Sequence, residues 1–257
     1  MTKIIFIEGV SGVGKSTMVG KLIEDLRREG HTAKGYVEFD YTNPIDFYCT
    51  AYFTAEEYEN LCRKYEADID NIHRNVVCAG KARLIRYFDE DTPLFNEPIL
   101  SELMSREFCY EPCNPVSLND YTEAYAAVWE NFALGLDNSF EFIIFDGSLL
   151  HHPLNDMMRN YNASAGQAVN HIQKLLSALG ETERSIFYLK TDDIKGQLTK
   201  AHIERGQGIP DIAQIEFWEK RYINDMIVLD NIDEDYRIFD VTEKWDSVRE
   251  NILEIIL

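Results

Sequence analysis

The sequence has few of the features that hold small secreted or metal-binding proteins together. It contains five cysteines, and no two of them form a Cys-x-x-Cys pair. An odd number of cysteines without this spacing argues against a disulfide framework and against a zinc cluster. Cys109 and Cys113 have a spacing that can suit a metal, but no second pair accompanies them, so we expect free thiols.

Basic residues and long apolar runs are also scarce. Lys and Arg number 25 against 45 Asp and Glu, which gives a formal net charge of −20. Such a surface repels nucleic acid and anionic membranes, so we expect neither as a partner. No apolar run approaches the ~20 residues that span a bilayer, and no signal peptide is recognisable, so we expect a cytoplasmic protein.

No repeat, low-complexity tract or linker rich in Gly, Ser or Pro divides the chain, so we predict a single domain over residues 1–257. Short apolar runs, which are typical of strands buried in a parallel sheet, occur at 4–7, 35–37, 142–145, 185–189 and 236–239. Segments of helical periodicity lie between them, as at 16–29 and at 119–136 with Asn119 as N-cap. This alternation predicts an α/β fold with a mainly parallel five-stranded sheet.

The interval between the second and third predicted strands is much longer than a crossover connection requires. We therefore predict that residues 41–140 form a helical insertion that covers the substrate.

One motif carries recognisable chemistry. Residues 9–16, Gly-Val-Ser-Gly-Val-Gly-Lys-Ser, match the Walker A or P-loop pattern G-x-x-x-x-G-K-[ST] between a predicted strand and a predicted helix. Glycines let the chain curl so that successive N–H groups point at phosphate oxygens, and the helix adds the positive end of its dipole. The predicted nucleotide-binding residues are Gly9, Ser11, Gly12, Val13, Gly14, Lys15, Ser16 and Thr17.

Within this motif, Lys15 is expected to reach the β- and γ-phosphates, and the Ser16 hydroxyl is expected to ligate Mg²⁺. Asp146 ends the third predicted strand and is the candidate carboxylate for the same metal ion. The alternative for Asp146 is a purely structural role at a turn with Gly147.

The sequence resembles a known group of P-loop enzymes. It has no guanine-reading Asn-Lys-x-Asp element, which argues against a switch GTPase. The opening residues look like those of thymidylate kinases and related small-molecule phosphotransferases. Residues 188–191 and 198–206 are similar to the strand, helix and arginine-bearing lid of that group, and residues 238–242 with the following helix are similar to its ending.

This resemblance implies a P-loop kinase-type three-layer sandwich, with ATP and Mg²⁺ as nucleotide and metal. It also implies that Arg205 stabilises the transferring phosphoryl group, with Lys200 and Arg221 as weaker candidates. The chain departs from thymidylate kinases at 146–148, where Asp-Gly-Ser replaces their Asp-Arg-aromatic element. This departure argues against a nucleoside monophosphate acceptor. The Glu-Arg-Ser element of deoxynucleoside kinases is missing as well.

Two carboxylates are available to activate an acceptor hydroxyl. Glu38 and Asp40 follow the second predicted strand, and strict alternation would place them on the same side of an extended chain. Similarity to antibiotic phosphotransferases favours Asp40 as the base, with Glu38 in reserve.

Further substrate contacts are expected on either side of the third strand. Tyr41 and Tyr48 belong to an aromatic segment that either lines a pocket for a ring-containing ligand or anchors a helix to the core. His152 and Arg159 follow the third strand, where α/β sheets bind ligands.

The sequence thus predicts an ATP- and Mg²⁺-dependent phosphotransferase whose acceptor is a hydroxyl of a small polar molecule, such as a nucleoside, an amino sugar or an antibiotic. One alternative is a nucleoside monophosphate kinase, for which Arg83, Arg86 and Arg106 would supply extra cations. The other is a nucleotide-binding regulatory module with little or no catalysis. The choice between ATP and GTP and the formation of a homodimer stay open.

Overall fold

The structure is a computed structural model that describes residues 2–242 and 245–257. Its strands are β1 (Lys3–Gly9), β2 (Ala33–Tyr36), β3 (Thr50–Thr54), β4 (Val76–Ala79), β5 (Ala82–Arg86), β6 (Phe88–Asp89), β7 (Thr92–Pro93), β8 (Phe142–Asp146), β9 (Arg184–Lys190) and β10 (Tyr236–Asp240). Its α-helices are α1 (Lys15–Arg28), α2 (Ala55–Lys64), α3 (Ile69–Asn75), α4 (Ile99–Met104), α5 (Leu118–Leu134), α6 (His151–Asn160), α7 (Ala165–Ala178), α8 (Ile194–Glu204), α9 (Ile212–Asn231) and α10 (Trp245–Ile256).

The central sheet has five parallel strands in the order β10-β9-β1-β8-β2. Side chains of β1 alternate between two hydrophobic cores: Ile4 and Phe6 enter the core formed with α5 and α7, whereas Ile5 and Ile7 enter the core formed with α1 and α10. Because strand side chains alternate between the two faces, helices cover both sides of the sheet. The structure thus confirms the predicted α/β class, with helices on both faces of a five-stranded parallel sheet.

The parallel strands bring their carboxyl ends to one edge of the sheet. In the register of β1 with β8, Ile7 lies opposite Asp146, and in the register with β9, Gly9 lies opposite Leu189. The loop after β1 therefore begins beside Asp146. This edge is where open α/β sheets place their ligands.

The insertion is only partly helical. Residues 41–140 contain α2 to α5, but also a three-stranded antiparallel sheet in the order β3-β5-β4 and the short β6-β7 hairpin, which the sequence analysis did not predict. Each of these strands has five residues or fewer, so alternation along the sequence is too short to reveal them.

Helix α5 belongs to the main core rather than to a separate cap. Its Trp129 stacks on Phe6 of β1 with the ring centroids 5.5 Å apart. The prediction of Asn119 as N-cap is wrong: the cap is Ser117, whose hydroxyl accepts a hydrogen bond from the Asp120 N–H. The five cysteines are free thiols, as predicted. None of the helices in the described ranges combines the length and apolar character of a membrane span.

Arg221, a weaker candidate for the lid, is instead a core residue of α9. It is 0% exposed and forms an ion pair with Asp225. Its Nη2 donates to the carbonyl oxygen of Leu150 at 2.6 Å, and the Tyr188 hydroxyl donates to Asp225 at 2.7 Å. Arg221 therefore fastens α9 to the beginning of α6 and cannot act at the lid.

We predict that Arg221→Met lowers the free energy of unfolding by about 3–5 kcal/mol, because Asp225 then stays buried without its cationic partner. The double variant Arg221→Met/Asp225→Leu should recover part of this loss, since no uncompensated charge remains buried. Urea unfolding measures both. A single variant as stable as the wild type would contradict this role for Arg221.

Candidate active site

The P-loop has the backbone geometry that its glycines allow. Gly9 has φ 144° and Gly14, which precedes α1, has φ 97°. A Cβ atom on Gly9 would lie 2.5 Å from the carbonyl oxygen of Leu189, so β9 packs too closely for any other residue at this position. The loop is therefore shaped by the neighbouring strand and leads directly into the N-terminus of α1.

One predicted residue of the motif, Ser16, lies against the end of β8. The Ser16 hydroxyl donates to Oδ2 of Asp146 at 2.5 Å, so the two candidate magnesium ligands are adjacent. A hydroxyl and a carboxylate fit Mg²⁺, which takes oxygen ligands and usually binds with one or two carboxylates, water and substrate phosphates. No group of three or more His, Cys, Asp or Glu in the described part of the chain could hold a metal by itself.

Lys15 is buried and points towards the start of α6. Its Nζ donates to the carbonyl oxygen of Val10 at 3.2 Å and lies 3.2 Å from Nδ1 of His151. The same Nδ1 atom is 3.0 Å from the carbonyl oxygen of Gly9. The His151 ring stacks on Trp218 of α9 with the centroids 5.1 Å apart.

His151 was not among the predicted site residues, although it is the histidine that touches Lys15. Burial and the charge of Lys15 lower the pKa of His151 well below its usual range, so the imidazole is neutral. Its Nδ1 can donate to Gly9 or accept from Lys15, but one tautomer cannot do both. The only signal in the sequence was the pair of histidines after the third strand, and the pair alone did not show which one faces the P-loop.

Glu8 is a second residue that sequence reasoning missed. Its carboxylate is fully buried and accepts the backbone N–H groups of Leu149 at 2.9 Å and His151 at 3.0 Å. Burial raises the pKa of Glu8 to about 7, although these N–H groups and the Lys15 charge oppose the shift. A carboxylate at the end of an otherwise apolar strand was the available signal. Glu8 links the end of β1 to the beginning of α6.

A cavity of 1120 Å³ opens beside the P-loop. Its wall combines the P-loop, the turn after β2, the insertion, α6, the lid after α8 and the start of α9. The residues that line the cavity include Ser11, Glu38, Phe39, Tyr48, Tyr87, Glu107, Tyr110, Glu111, His151, His152, Asn155, Asp156, Arg159, His202, Arg205, Phe217 and Trp218.

Besides Ser11 of the P-loop, five predicted residues lie on this cavity, namely Glu38, Tyr48, His152, Arg159 and Arg205. Their predicted roles in substrate binding and transfer remain predictions, but the fold brings them together around one space. Sequence reasoning missed Glu107 and Tyr110, which come from a part of the insertion without a recognisable motif.

Asp40 and Tyr41 are not on this wall. Oδ1 of Asp40 accepts hydrogen bonds from the N–H and the hydroxyl of Thr42, at 2.8 and 2.7 Å. The expected alternation fails because β2 ends at Tyr36 and Phe39 has a left-handed φ of 62°, so the chain turns between Glu38 and Asp40. Tyr41 lines a separate, smaller cavity. Glu38 is therefore the carboxylate of this pair that faces the main cavity.

The other proposed cations lie elsewhere. Arg106 pairs with Glu57 at 2.8 Å, Arg86 donates to the Asp46 carbonyl at 3.2 Å, and Arg83 donates to the Ala82 carbonyl at 2.9 Å. Lys200 lies on a shallow depression formed by α8. Among the described residues, the two arginines that line the main cavity are Arg159 and Arg205.

We predict that Glu8 makes stability depend on pH. Its pKa is about 7 in the folded protein against an ordinary value of 4.5, so the native state binds more protons between these values. The free energy of unfolding should therefore fall by about 3 kcal/mol from this group as pH rises through that window. Urea unfolding of wild type and Glu8→Gln at pH 5 and pH 8 measures the difference. Equal pH dependence in the two proteins would contradict the assignment.

Comparisons with known proteins do not identify the substrate. No protein-family model and no curated protein matches the chain. A solved structure to which the chain is similar is a thymidylate kinase from Candida albicans. The match covers 99% of this chain and 91% of that one, at 16% sequence identity and a TM-score of 0.47. At this level of identity the roles of individual residues rest on the geometry described above.

Proposed function

We propose that this protein is an ATP- and Mg²⁺-dependent phosphotransferase that moves the γ-phosphoryl group to a hydroxyl of a small polar molecule. One observation carries the proposal. A single cavity is lined by Ser11 of the P-loop, by His151 beside Lys15, by the carboxylate Glu38 and by Arg205 of the lid. A phosphoryl donor at the P-loop and an acceptor at Glu38 would therefore share one space.

The residues around the P-loop would bind the phosphates of the nucleotide. Lys15 would leave the Val10 carbonyl and His151 to contact the β- and γ-phosphates, while the N-terminus of α1 supplies further positive potential. Ser16 and Asp146 would hold Mg²⁺, which supplies neutralisation of phosphate charge when it is bound. Arg205 would stabilise charge on the transferring group from the lid side.

Glu38 would act on the acceptor. Its carboxylate would take the proton of the acceptor hydroxyl as the new oxygen–phosphorus bond forms and the bond to the leaving ADP breaks. The sequence analysis favoured Asp40 as the base and Glu38 as the reserve. We reverse this preference because Asp40 accepts hydrogen bonds from Thr42, whereas Glu38 lines the cavity.

We predict that Lys15→Ala lowers the turnover number by about 10³-fold, because a positioned charge at the phosphates is lost. The matched control is Lys21→Ala on the exposed side of α1, where the lysine pairs only with Glu24, and it should keep wild-type turnover. ADP release with a responsive acceptor measures both, and circular dichroism checks the fold. Undiminished turnover by Lys15→Ala would contradict the mechanism.

We predict opposite outcomes for the two carboxylates after β2. Glu38→Gln should lower the turnover number by about 10²–10⁴-fold, the usual contribution of a general base, whereas Asp40→Asn should change it by no more than about threefold. Steady-state kinetics at saturating ATP distinguish the two. Loss of turnover in Asp40→Asn with normal turnover in Glu38→Gln would return the role of base to Asp40.

A nucleoside monophosphate kinase is the second candidate function, because Arg159 lines the cavity and can pair with an acceptor phosphate. ADP release that responds to nucleoside monophosphates and to no unphosphorylated alcohol would favour this candidate.

A further inference from the structure

The main cavity has two regions of opposite charge. Arg205 and His202 come from the end of α8, and the guanidinium of Arg159 lies 4.5 Å from the ring centroid of Phe217 on α9. Most carboxyl groups lie on other parts of the wall, namely Glu38 in the turn after β2, Glu107 and Glu111 in the insertion, and Asp156 on α6; one more, Asp211, precedes α9. Phosphate groups would be attracted to the first region. The second region, which we call the insertion end, would repel them.

Three aromatic rings lie beside these carboxyl groups. Phe39, Tyr48 and Tyr110 contact one another, with centroid distances of 4.8, 5.2 and 5.9 Å. The Phe39 side chain is 47% exposed on the cavity wall, although it is a large apolar group. The faces of aromatic rings carry negative potential and attract cations.

Two carboxyl groups of the insertion end, Glu107 and Asp156, accept hydrogen bonds but form no ion pair with a described residue, although the nearby His152 acts to lower the pKa of Asp156. Glu107 accepts from the Thr50 N–H at 3.2 Å and from the Tyr87 hydroxyl, and Asp156 accepts from the Tyr110 N–H at 2.9 Å and from the Tyr121 hydroxyl at 3.1 Å. No salt bridge within the described ranges includes Glu38, Glu107 or Asp156. Burial and the nearby Asp156 raise the pKa of Glu107 to about 8.

One acceptor on α6 lacks a donor. The Oδ1 atom of Asn155 is buried, and no hydrogen-bond partner is found for it in the described part of the chain. A buried acceptor without a donor is costly unless a ligand or water supplies one. An aromatic wall, carboxyl groups without cations and an unpaired carbonyl all favour a ligand that brings positive charge and N–H donors.

We propose that the insertion end of the cavity binds an organic cation, so that the phosphoryl acceptor is an alcohol that carries a protonated amine. The identity of this molecule as the acceptor rests on the phosphotransferase function proposed above; its binding does not. The amine would lie between Glu107, Asp156 and the three rings, with its N–H groups donating to the carboxylates. Glu38 lines the same cavity and would face a hydroxyl of the same molecule.

Isothermal titration calorimetry at pH 7 with a matched pair of ligands tests the proposal. 2-Deoxystreptamine carries two amines on a hydroxylated six-membered ring, and myo-inositol presents a similar ring with hydroxyls only. We expect the wild type to bind the amine more tightly by about tenfold or more. Equal or tighter binding of myo-inositol, thymidine or thymidine monophosphate would overturn the proposal.

Three variants assign the affinity to the insertion end. Glu107→Gln and Phe39→Ala should each weaken binding of 2-deoxystreptamine by about fivefold or more, and the exposed Phe39 can be replaced with little effect on the core. The control Glu59→Gln removes one exposed carboxylate from α2 and should bind like the wild type. Equal affinity in all four proteins would overturn the proposal by showing that only the net charge of the surface attracts the amine.

Proton release gives a second readout. Glu107 faces four titratable side chains, none of which is a cation: Tyr48, Cys49, Tyr87 and Asp156. A bound amine should therefore ionise Glu107, so that close to one proton leaves the protein at pH 7. Titrations in buffers of different ionisation enthalpy measure this number, and Glu107→Gln should abolish it. Amine binding with no proton release in the wild type would contradict the role of Glu107.

The cation site and the phosphotransferase function can fail separately. Lys15→Ala should bind 2-deoxystreptamine like the wild type while it loses phosphoryl transfer. Amine binding without any ATP-dependent transfer would refute the proposed function and leave the cation site in place. Transfer to a neutral alcohol or a monophosphate, with no binding of the amine, would refute the cation site and leave a phosphotransferase function in place.

Discussion

The position of α6 beside the P-loop depends on the buried Glu8 carboxylate, which accepts the N–H groups of Leu149, just before α6, and of His151, its first residue. This carboxylate ties the end of β1, where the P-loop begins, to the helix that supplies His151, His152, Asp156 and Arg159 to the cavity. A buried carboxylate is stable only with such donors, and here they come from the beginning of a helix, where N–H groups lack partners within the helix. One buried hydrogen-bonded side chain, Glu8, thereby fixes the P-loop relative to α6.

Basic and acidic side chains are unevenly distributed around the cavity. The chain carries a formal net charge of −20, so phosphate can approach only where cations are concentrated, at Lys15 and at the lid. The opposite wall carries carboxyl groups that no lysine or arginine of the described residues neutralises through a salt bridge. If both proposals hold, one cavity would attract a phosphoryl donor to one region and a positively charged acceptor to another, and the difference in potential would orient both molecules for transfer.

The parts of the structure that local patterns determine could be predicted from the sequence. The P-loop is a contiguous motif, and the strands of the central sheet are short apolar runs, so both were found without any knowledge of distant contacts. The choice between Glu38 and Asp40 depended on one left-handed residue, Phe39, which no alternation rule anticipates. Glu107 and Tyr110 reach the cavity only through the long-range pairing of the insertion, and the burial of Arg221 depends on Asp225 and the Leu150 carbonyl. These features depend on contacts between residues far apart in the sequence, which the hydrophobic periodicity of a segment does not predict.

The most direct test of the account is a ³¹P NMR measurement of the protein with ATP, Mg²⁺ and a panel of amine-bearing and neutral alcohols. We expect a new phosphomonoester resonance that grows in equal amount to ADP, and that grows fastest with an amine-bearing acceptor. ADP accompanied only by inorganic phosphate, or unchanged ATP with every acceptor, would contradict the claim that this cavity transfers a phosphoryl group.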